Sequence, residues 1–172
     1  HMFRKGFPYE GSARVPMILT GPPDSGIQAS SMHQGVAALR DVMPTLLDCA
    51  GLPIPETVEG VSLLQMARGE ATTVREYLHG EHTLLGQSIQ WLTDGHEKYV
   101  WFSGDGHEQL FNLDNDPTEL RNLADSAADR TAHWRARLMQ ELAGREEGFV
   151  DGGQLVTGRP VQPCLAHLRH QS

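Results

Sequence analysis

The sequence predicts a mixed α/β protein that becomes α+β in its second half. Up to about residue 70, short apolar runs alternate with a helical pattern and with Gly- and Pro-rich loops, which is typical of an α/β domain. Beyond Arg75, four short runs of β-forming residues follow one another, and one long helical pattern comes after them. These observations predict part of an α/β domain followed by a small antiparallel sheet that packs on a helix.

The same change of pattern predicts the domain limits. We expect residues 1–70 to form the end of an incomplete α/β domain and residues 71–148 to form the sheet and its helix. Residues 149–172 are rich in Gly and Pro and predict an extended tail.

In the first half, Val15 to Leu19 and Val36 to Leu39 are short apolar runs that predict strands. Asp41 then predicts the N-cap of a helix with Leu46 and Leu47 on its apolar side. Gly51 predicts the end of that helix, because glycine readily adopts the left-handed conformation of a helix C-terminus.

In the second half, the turn signals Asp94-Gly95 and Gly104-Asp105-Gly106 predict hairpins between consecutive strands. The four predicted strands are Tyr77 to Glu81, Ser88 to Thr93, Tyr99 to Ser103 and Gln109 to Leu113. Strands joined in this way form an antiparallel sheet with one face that needs cover.

A helix from about Ala127 to Ala143 is the predicted cover. Trp134, Leu138 and Leu142 are spaced i, i+4 and form an apolar ridge. Ser126 with Asp129 predicts a capping pair at the start of this helix.

Composition excludes several classes of partner. The 172 residues are 39% hydrophobic and 21% charged, which fits a globular protein, and the formal charge is −8. Nucleic acid and anionic membranes both need a basic face, so we expect neither as a partner. Cys49 and Cys164 are far apart, and Cys49 is predicted to be a buried free thiol. The sequence therefore shows no sign of an oxidising compartment and slightly favours the cytoplasm without assigning a location.

Lys5 lies in a Gly- and Pro-rich loop before the predicted Val15 to Leu19 strand. A lysine in such a loop is a point charge with three donors and suits a phosphate or sulfate oxygen. Glu10 and Arg14 are spaced i, i+4, so one helical turn places them on the same face. They predict either an anchor that orients the Lys5 loop or an ion pair that only holds the turn.

Three motifs resemble the sulfatases of the alkaline phosphatase superfamily, and arylsulfatases in particular. They are Lys5-Gly-x-x-Tyr-Glu-Gly-x-x-Arg-Val-Pro16, Asp41-x-x-Pro-Thr-Leu-Leu47 and Leu110-Phe-Asn-Leu113 with Asp116-Pro-x-Glu119. The resemblance covers about residues 3 to 124 and implies that Lys5 contacts the sulfate ester. In the third motif, Asp116 and Glu119 also predict a capping pair.

The segment His79-Gly80-Glu81-His82 invites a metal interpretation. In a strand, however, His79 and Glu81 point to one face and His82 to the other, so the three cannot converge without a bend. We predict no metal site here. His82 is predicted to line the substrate pocket, and a surface or hydrogen-bonded core histidine is the alternative.

The resemblance also implies groups that this chain is expected to lack. Sulfatases use a formylglycine made from Cys or Ser in Cys-x-Pro-Ser-Arg, and neither Cys49 nor Cys164 stands in that motif. They also bind calcium through Asp-Asp and Asp-Asn or Asp-His pairs, which we do not find. The expected protein is thus the C-terminal portion of a sulfatase, with calcium and nucleophile supplied by an N-terminal part. These 172 residues alone are predicted to be inactive.

Three functions remain open at this point. The first is hydrolysis of a small-molecule sulfate ester by the intact enzyme. The second is hydrolysis of phosphonate or phosphate esters by a relative from the same superfamily. The third is a non-enzymatic assembly module, a homo-oligomer that pairs copies through an exposed sheet edge.

Overall fold

The computed structural model describes residues 6–161. In chain order, its regular elements are α1 (Glu10–Ala13), α2 (Val42–Cys49), α3 (Leu64–Ala67), β1 (Leu78–Leu84), β2 (Gln87–Thr93), β3 (Glu97–Phe102), β4 (Glu108–Asn112), α4 (Ala128–Leu142), β5 (Val150–Asp151) and β6 (Gln154–Leu155). Short 3-10 turns occupy Pro23–Ser25 and Leu39–Asp41. Among these residues, no helix has the length and apolar character that crossing a membrane requires.

The described residues divide into two compact units. The sheet unit comprises residues 6–14, 79–92 and 96–161, and the N-terminal unit comprises residues 15–78 and 93–95. The assignment of residues 1–70, 71–148 and 149–172 to separate domains of an intact enzyme stays a prediction.

The sheet unit contains a four-stranded antiparallel sheet in the order β1-β2-β3-β4. Each strand therefore pairs with its neighbour in sequence, as the hairpin signals predict. In the last pair, Glu97 lies opposite Asn112 and Trp101 opposite Glu108. The four predicted strands are confirmed, with limits that differ by up to three residues.

Consecutive side chains of β3 point to opposite faces of the sheet, and side chains on both faces are buried. Ile89, Val100, Phe102 and Phe111 form one buried cluster, against which Tyr9 packs. The ring centroids of Tyr9 and Phe111 are 6.0 Å apart in an edge-on arrangement. The segment that leads into α1 therefore covers this face.

Helix α4 covers the other face and confirms the predicted helix. Trp134, Leu138 and Leu142 are all buried, and the Trp134 indole N–H donates to Glu97 Oε2 at 2.8 Å. Arg135 donates two hydrogen bonds of 2.6 Å to the Glu108 carboxylate. The predicted Ser126–Asp129 capping pair is wrong: the helix has no side-chain cap, and Ser126 Oγ donates to Leu123 O.

The turn after β4 departs from the prediction. Residues 116–122 form turns and not a helix, so the predicted capping pair of Asp116 and Glu119 does not exist. Asp116 accepts the Arg121 amide at 2.8 Å, whereas the Glu119 side chain is buried. Asn122 fastens this turn to β4, because its Oδ1 accepts the Leu110 amide and its Nδ2 donates to Glu108 O.

The N-terminal unit has helices but no strand among residues 15–77. Val15 to Leu19 and Val36 to Leu39 were predicted as strands, and both predictions are wrong. Ile18 is 84% exposed and Leu39 is 71% exposed. An isolated apolar run gains little from an extended conformation when no strand pairs with it.

Helix α2 begins and ends where predicted but buries another face. Gly51 follows its C-terminus with a φ of +66°, as the glycine signal indicates. Pro44 and Thr45 are its buried residues, whereas Leu46 is 60% exposed. Cys49, predicted to be buried, is a free and exposed cysteine.

Asp41 lies at the predicted N-terminus of α2 but does not cap this helix. Its buried carboxylate accepts the backbone amides of Ala38 at 2.7 Å and Val61 at 3.0 Å. It also accepts hydrogen bonds from both terminal nitrogens of Arg75, at 2.6 and 2.5 Å. Asp41 and Arg75 therefore form a buried polar clamp that joins four parts of this unit, and we call it the Asp41 clamp.

Candidate functional site

An open cleft of about 240 Å³ lies in the sheet unit. It is formed by the segment that leads into α1, by α1 itself and by residues of the strands β1 and β2. The lining residues are Gly6, Phe7, Pro8, Ser12, Ala13, Glu81, His82 and Trp91.

Glu81 and His82 both line this cleft from the edge strand β1. The side chains of His79 and Glu81 contact Gln90: His79 Nε2 is 2.7 Å from Gln90 Oε1, and Gln90 Nε2 donates to Glu81 Oε2 at 3.3 Å. A role for His82 in binding substrate stays a prediction.

Trp91 forms an aromatic wall of the cleft, and Gly80 makes room for it. A Cβ atom at Gly80 would lie 2.3 Å from the Trp91 ring, well inside van der Waals contact. A glycine within a strand can indicate such a close approach, so this signal was available in the sequence. Sequence reasoning nevertheless missed Trp91.

A buried ion cluster holds the segment that leads into α1. Lys98 on β3 is 1% exposed, and its Nζ donates to Pro8 O at 2.8 Å and to Glu10 Oε1 at 2.6 Å. The same nitrogen lies 3.0 Å from Glu119 Oε1. Glu119 Oε2 accepts the Glu10 backbone amide at 2.5 Å. We refer to Lys98, Glu10 and Glu119 as the Lys98 cluster.

The main partner of Glu10 is therefore Lys98 and not the predicted Arg14. Arg14 lies 3.7 Å from Glu10 Oε2, and its side chain is 73% exposed. The sequence signal for Lys98 was a lysine directly before the apolar run Tyr99 to Phe102, whose residues are all buried. No sequence pattern indicated the contact of Glu119 with Lys98, because the spacing of Glu119 from Asp116 predicted a helix cap.

Lys5, the predicted sulfate contact, lies outside the described residues. It precedes Gly6, which is itself a lining residue of the cleft. Its role in contacting an oxyanion stays a prediction.

Residues 6–161 contain no group of three or more His, Cys, Asp or Glu side chains placed to hold a metal ion. Calcium requires six or more oxygen ligands, several of them carboxylate. The buried carboxylates of Asp41 and Glu119 and the half-buried carboxylate of Glu108 already face Arg75, Lys98 and Arg135 respectively. This part of the chain therefore does not fit a calcium ion.

The antiparallel sheet and its covering helix also occur in solved structures of other proteins. A solved 2-O GAG sulfatase superimposes with a TM-score of 0.56 at 23% identity, covering 70% of this chain and 30% of that one. This likeness supports the α/β fold with its α+β C-terminal half.

Sequence relatives agree with the fold. The chain is 44% identical over 171 residues to an arylsulfatase of Clostridium perfringens, which covers 97% of this chain and 35% of the relative. It is 38% identical over 136 residues to human arylsulfatase K, covering 71% and 24% respectively. The chain thus spans about a third or less of the length of these relatives.

A family model described as "N-sulphoglucosamine sulphohydrolase, C-terminal" matches residues 1–147. The chain belongs to this family of C-terminal sulfatase regions.

Proposed function

We propose that this chain is the C-terminal part of a sulfuric ester hydrolase of the arylsulfatase type, which acts on a small-molecule sulfate ester. The observation that carries the proposal is the cleft beside Gly6, in a chain whose family and relatives are sulfatases. The described lining of this cleft offers a wall of apolar and polar side chains against which a substrate can bind. We therefore assign it to substrate binding.

In this proposal, Lys5 binds the sulfate oxygens. An ammonium group placed where charge develops on a transferred group stabilises the transition state more than the ground state. His82 lines the substrate pocket, and its ring nitrogens can exchange a hydrogen bond with the bound ester. Glu10 supports the Lys5 segment through Lys98, and Arg14 adds at most an exposed contact.

A formylglycine nucleophile and a calcium ion belong to the same proposal, but residues 6–161 do not fit the metal. We place both in the part of the sulfatase relatives that this chain does not cover. The 172 residues alone are accordingly proposed to be inactive.

The test uses the full-length protein that carries this chain, with p-nitrophenyl sulfate as substrate. We expect the Lys5→Ala variant to lower kcat/KM by about 10²- to 10³-fold, the range found when one preorganised charge-stabilising donor is removed. Arg121→Ala is the matched control, since Arg121 is an exposed cation of the sheet unit away from the cleft lining. We expect this control to retain the wild-type rate.

Two results would contradict the proposal. One is an unchanged rate in Lys5→Ala, and the other is turnover of the sulfate ester by the isolated 172 residues. A higher kcat/KM on a phenylphosphonate ester than on the sulfate would favour the phosphonate hydrolase alternative.

A further inference from the structure

The Lys98 cluster joins three separate segments of the sheet unit around one buried cation. Lys98 comes from β3, Glu10 from α1, and Glu119 from the turn after β4. The Lys98 side chain is 1% exposed and that of Glu119 is 2% exposed. Water is therefore excluded from the ammonium group of Lys98 and from the carboxylate of Glu119.

The backbone at Glu119 is strained to place this carboxylate. Its φ is +56°, in the left-handed region that residues other than glycine, asparagine and aspartate rarely adopt. One of its oxygens accepts the Glu10 amide, and the other lies 3.0 Å from Lys98 Nζ without accepting a hydrogen bond from any described residue. Such strain persists only where the surroundings fix it, and it is concentrated at functional sites.

Stability alone does not explain this arrangement. Replacing a buried ion pair by well-packed apolar residues is often neutral or stabilising, so a buried lysine is weak support for a purely stabilising role. What the cluster does provide is a defined position for the segment around Pro8 and Glu10. That segment and α1 contribute five of the eight lining residues of the cleft, namely Gly6, Phe7, Pro8, Ser12 and Ala13.

We propose that Lys98 is a positioning residue, which together with Glu10 and Glu119 fixes residues 6–14, the segment that follows Lys5 in the sequence and forms this wall of the cleft, against β3. The inference rests on the proposed function for its effect on activity. The fixed position of residues 6–14 is a structural claim that can be tested without any assay of hydrolysis.

The main variant is Lys98→Met in the full-length protein, which keeps a long side chain and removes the charge. We expect faster amide hydrogen exchange in residues 6–14, because the Pro8 carbonyl and Glu10 carboxylate lose their donor. Glu119→Gln is the milder second variant: the Lys98–Glu10 pair remains, the negative charge 3.0 Å from Lys98 is removed, and the acceptor of the Glu10 amide becomes uncharged.

Arg135→Met is the matched control. Arg135 binds Glu108 in a bidentate ion pair on the opposite face of the same sheet, away from the cleft lining. Its removal also leaves a carboxylate without its cation, and we expect no change of exchange in residues 6–14.

Activity on p-nitrophenyl sulfate provides a coupling test that a merely stabilising role would not pass. We expect Lys98→Met to lower kcat/KM by about 10²-fold, a typical effect of a small displacement of a reacting group. Combined with Lys5→Ala, it should lower the rate little further, because both changes remove the same contact. When Arg135→Met is added to Lys5→Ala, it should change kcat/KM by no larger a factor than it does in the otherwise wild-type protein.

Unchanged exchange in residues 6–14 of folded Lys98→Met or Glu119→Gln would overturn the positioning role. Fully multiplicative effects of Lys98→Met and Lys5→Ala would overturn it as well. If the wild-type protein hydrolyses no sulfate ester, the proposed function fails, and the exchange data alone then decide for or against Lys98.

Discussion

The two units of this chain bury their apolar residues to very different extents. In the sheet unit, side chains such as Tyr99, Trp101 and Leu138 are at most 1% exposed. In the N-terminal unit, the buried apolar residues among those described are Pro44, Leu64, Met66 and Ala67. The exposed large apolar residues of that unit are Val15, Met17, Ile18, Met32, Leu39, Val42, Met43, Leu46, Leu52, Ile54 and Val61.

This difference indicates two sources of stability. The sheet unit has apolar cover on both faces, so burial of apolar surface stabilises it in the ordinary way. The N-terminal unit buries little apolar surface and depends on the Asp41 clamp, which joins Ala38, Val61 and Arg75. Substitutions in the two units should therefore differ in what they disrupt.

The largest expected effect is the loss of the Asp41 clamp in Asp41→Asn. Removing one partner of a buried ion pair destabilises by about 3–5 kcal/mol, because the other charge stays buried without compensation. Amide hydrogen exchange of residues 38–63 should rise in this variant and stay unchanged in the exposed control Asp24→Asn. If the Val61 amide of the Asp41→Asn variant is as well protected from exchange as that of the wild type, the clamp is dispensable for the stability of this unit.

The same clamp makes the N-terminal unit sensitive to acid. Burial by itself would raise the pKa of Asp41, but hydrogen bonds from Arg75, Val61 and Ala38 outweigh it and hold the pKa below its ordinary value. A lowered pKa stabilises the folded state above the unfolded-state pKa of about 3.9, and this stabilisation is lost as the pH falls through the folded-state value. Exchange corrected for intrinsic rates should show protection of residues 38–63 falling below about pH 4 in the wild type. This fall should be absent in Asp41→Asn.

The next effect in size concerns the core of the sheet unit. Leu138→Ala should destabilise it by about 2–5 kcal/mol, the range for removing a fully buried leucine. Leu46→Ala in α2 should change stability by no more than about 0.5 kcal/mol, since that side chain is 60% exposed. All three tryptophans belong to the sheet unit, so urea unfolding followed by tryptophan fluorescence reports on this unit. Equal shifts of the midpoint in both variants would contradict the contrast between the units.

The contrast also explains which elements the sequence could predict. The strands of the sheet and α4 follow from periods of 2 and 3.6 residues and from glycine turns, which are local signals. Val15 to Leu19 has the same apolar character, but a strand forms only where another strand pairs with it, and residues 15–77 contain none. Pairing partners cannot be deduced from a short apolar run.

The candidate site likewise combines features that the sequence predicts with features that it does not. Strand alternation predicts that His79 and Glu81 share a face, and both side chains contact Gln90, because the period of a strand fixes the face of each side chain. The partners of Lys98 were not predictable, since Glu10 and Glu119 are distant in sequence. At Glu119, this long-range ion contact prevails over the local preference for a helix cap.

The smallest expected effect distinguishes Arg14 from Lys98 as the partner of Glu10. Arg14→Ala should change the free energy of unfolding by at most about 0.5 kcal/mol, because exposed ion pairs contribute little and this one spans 3.7 Å. Exchange in residues 6–14 should likewise stay as in the wild type, in contrast to Lys98→Met. If Arg14→Ala loosens that segment as much as Lys98→Met does, Glu10 is held from the solvent side. The buried cluster would then not be what fixes this wall of the cleft.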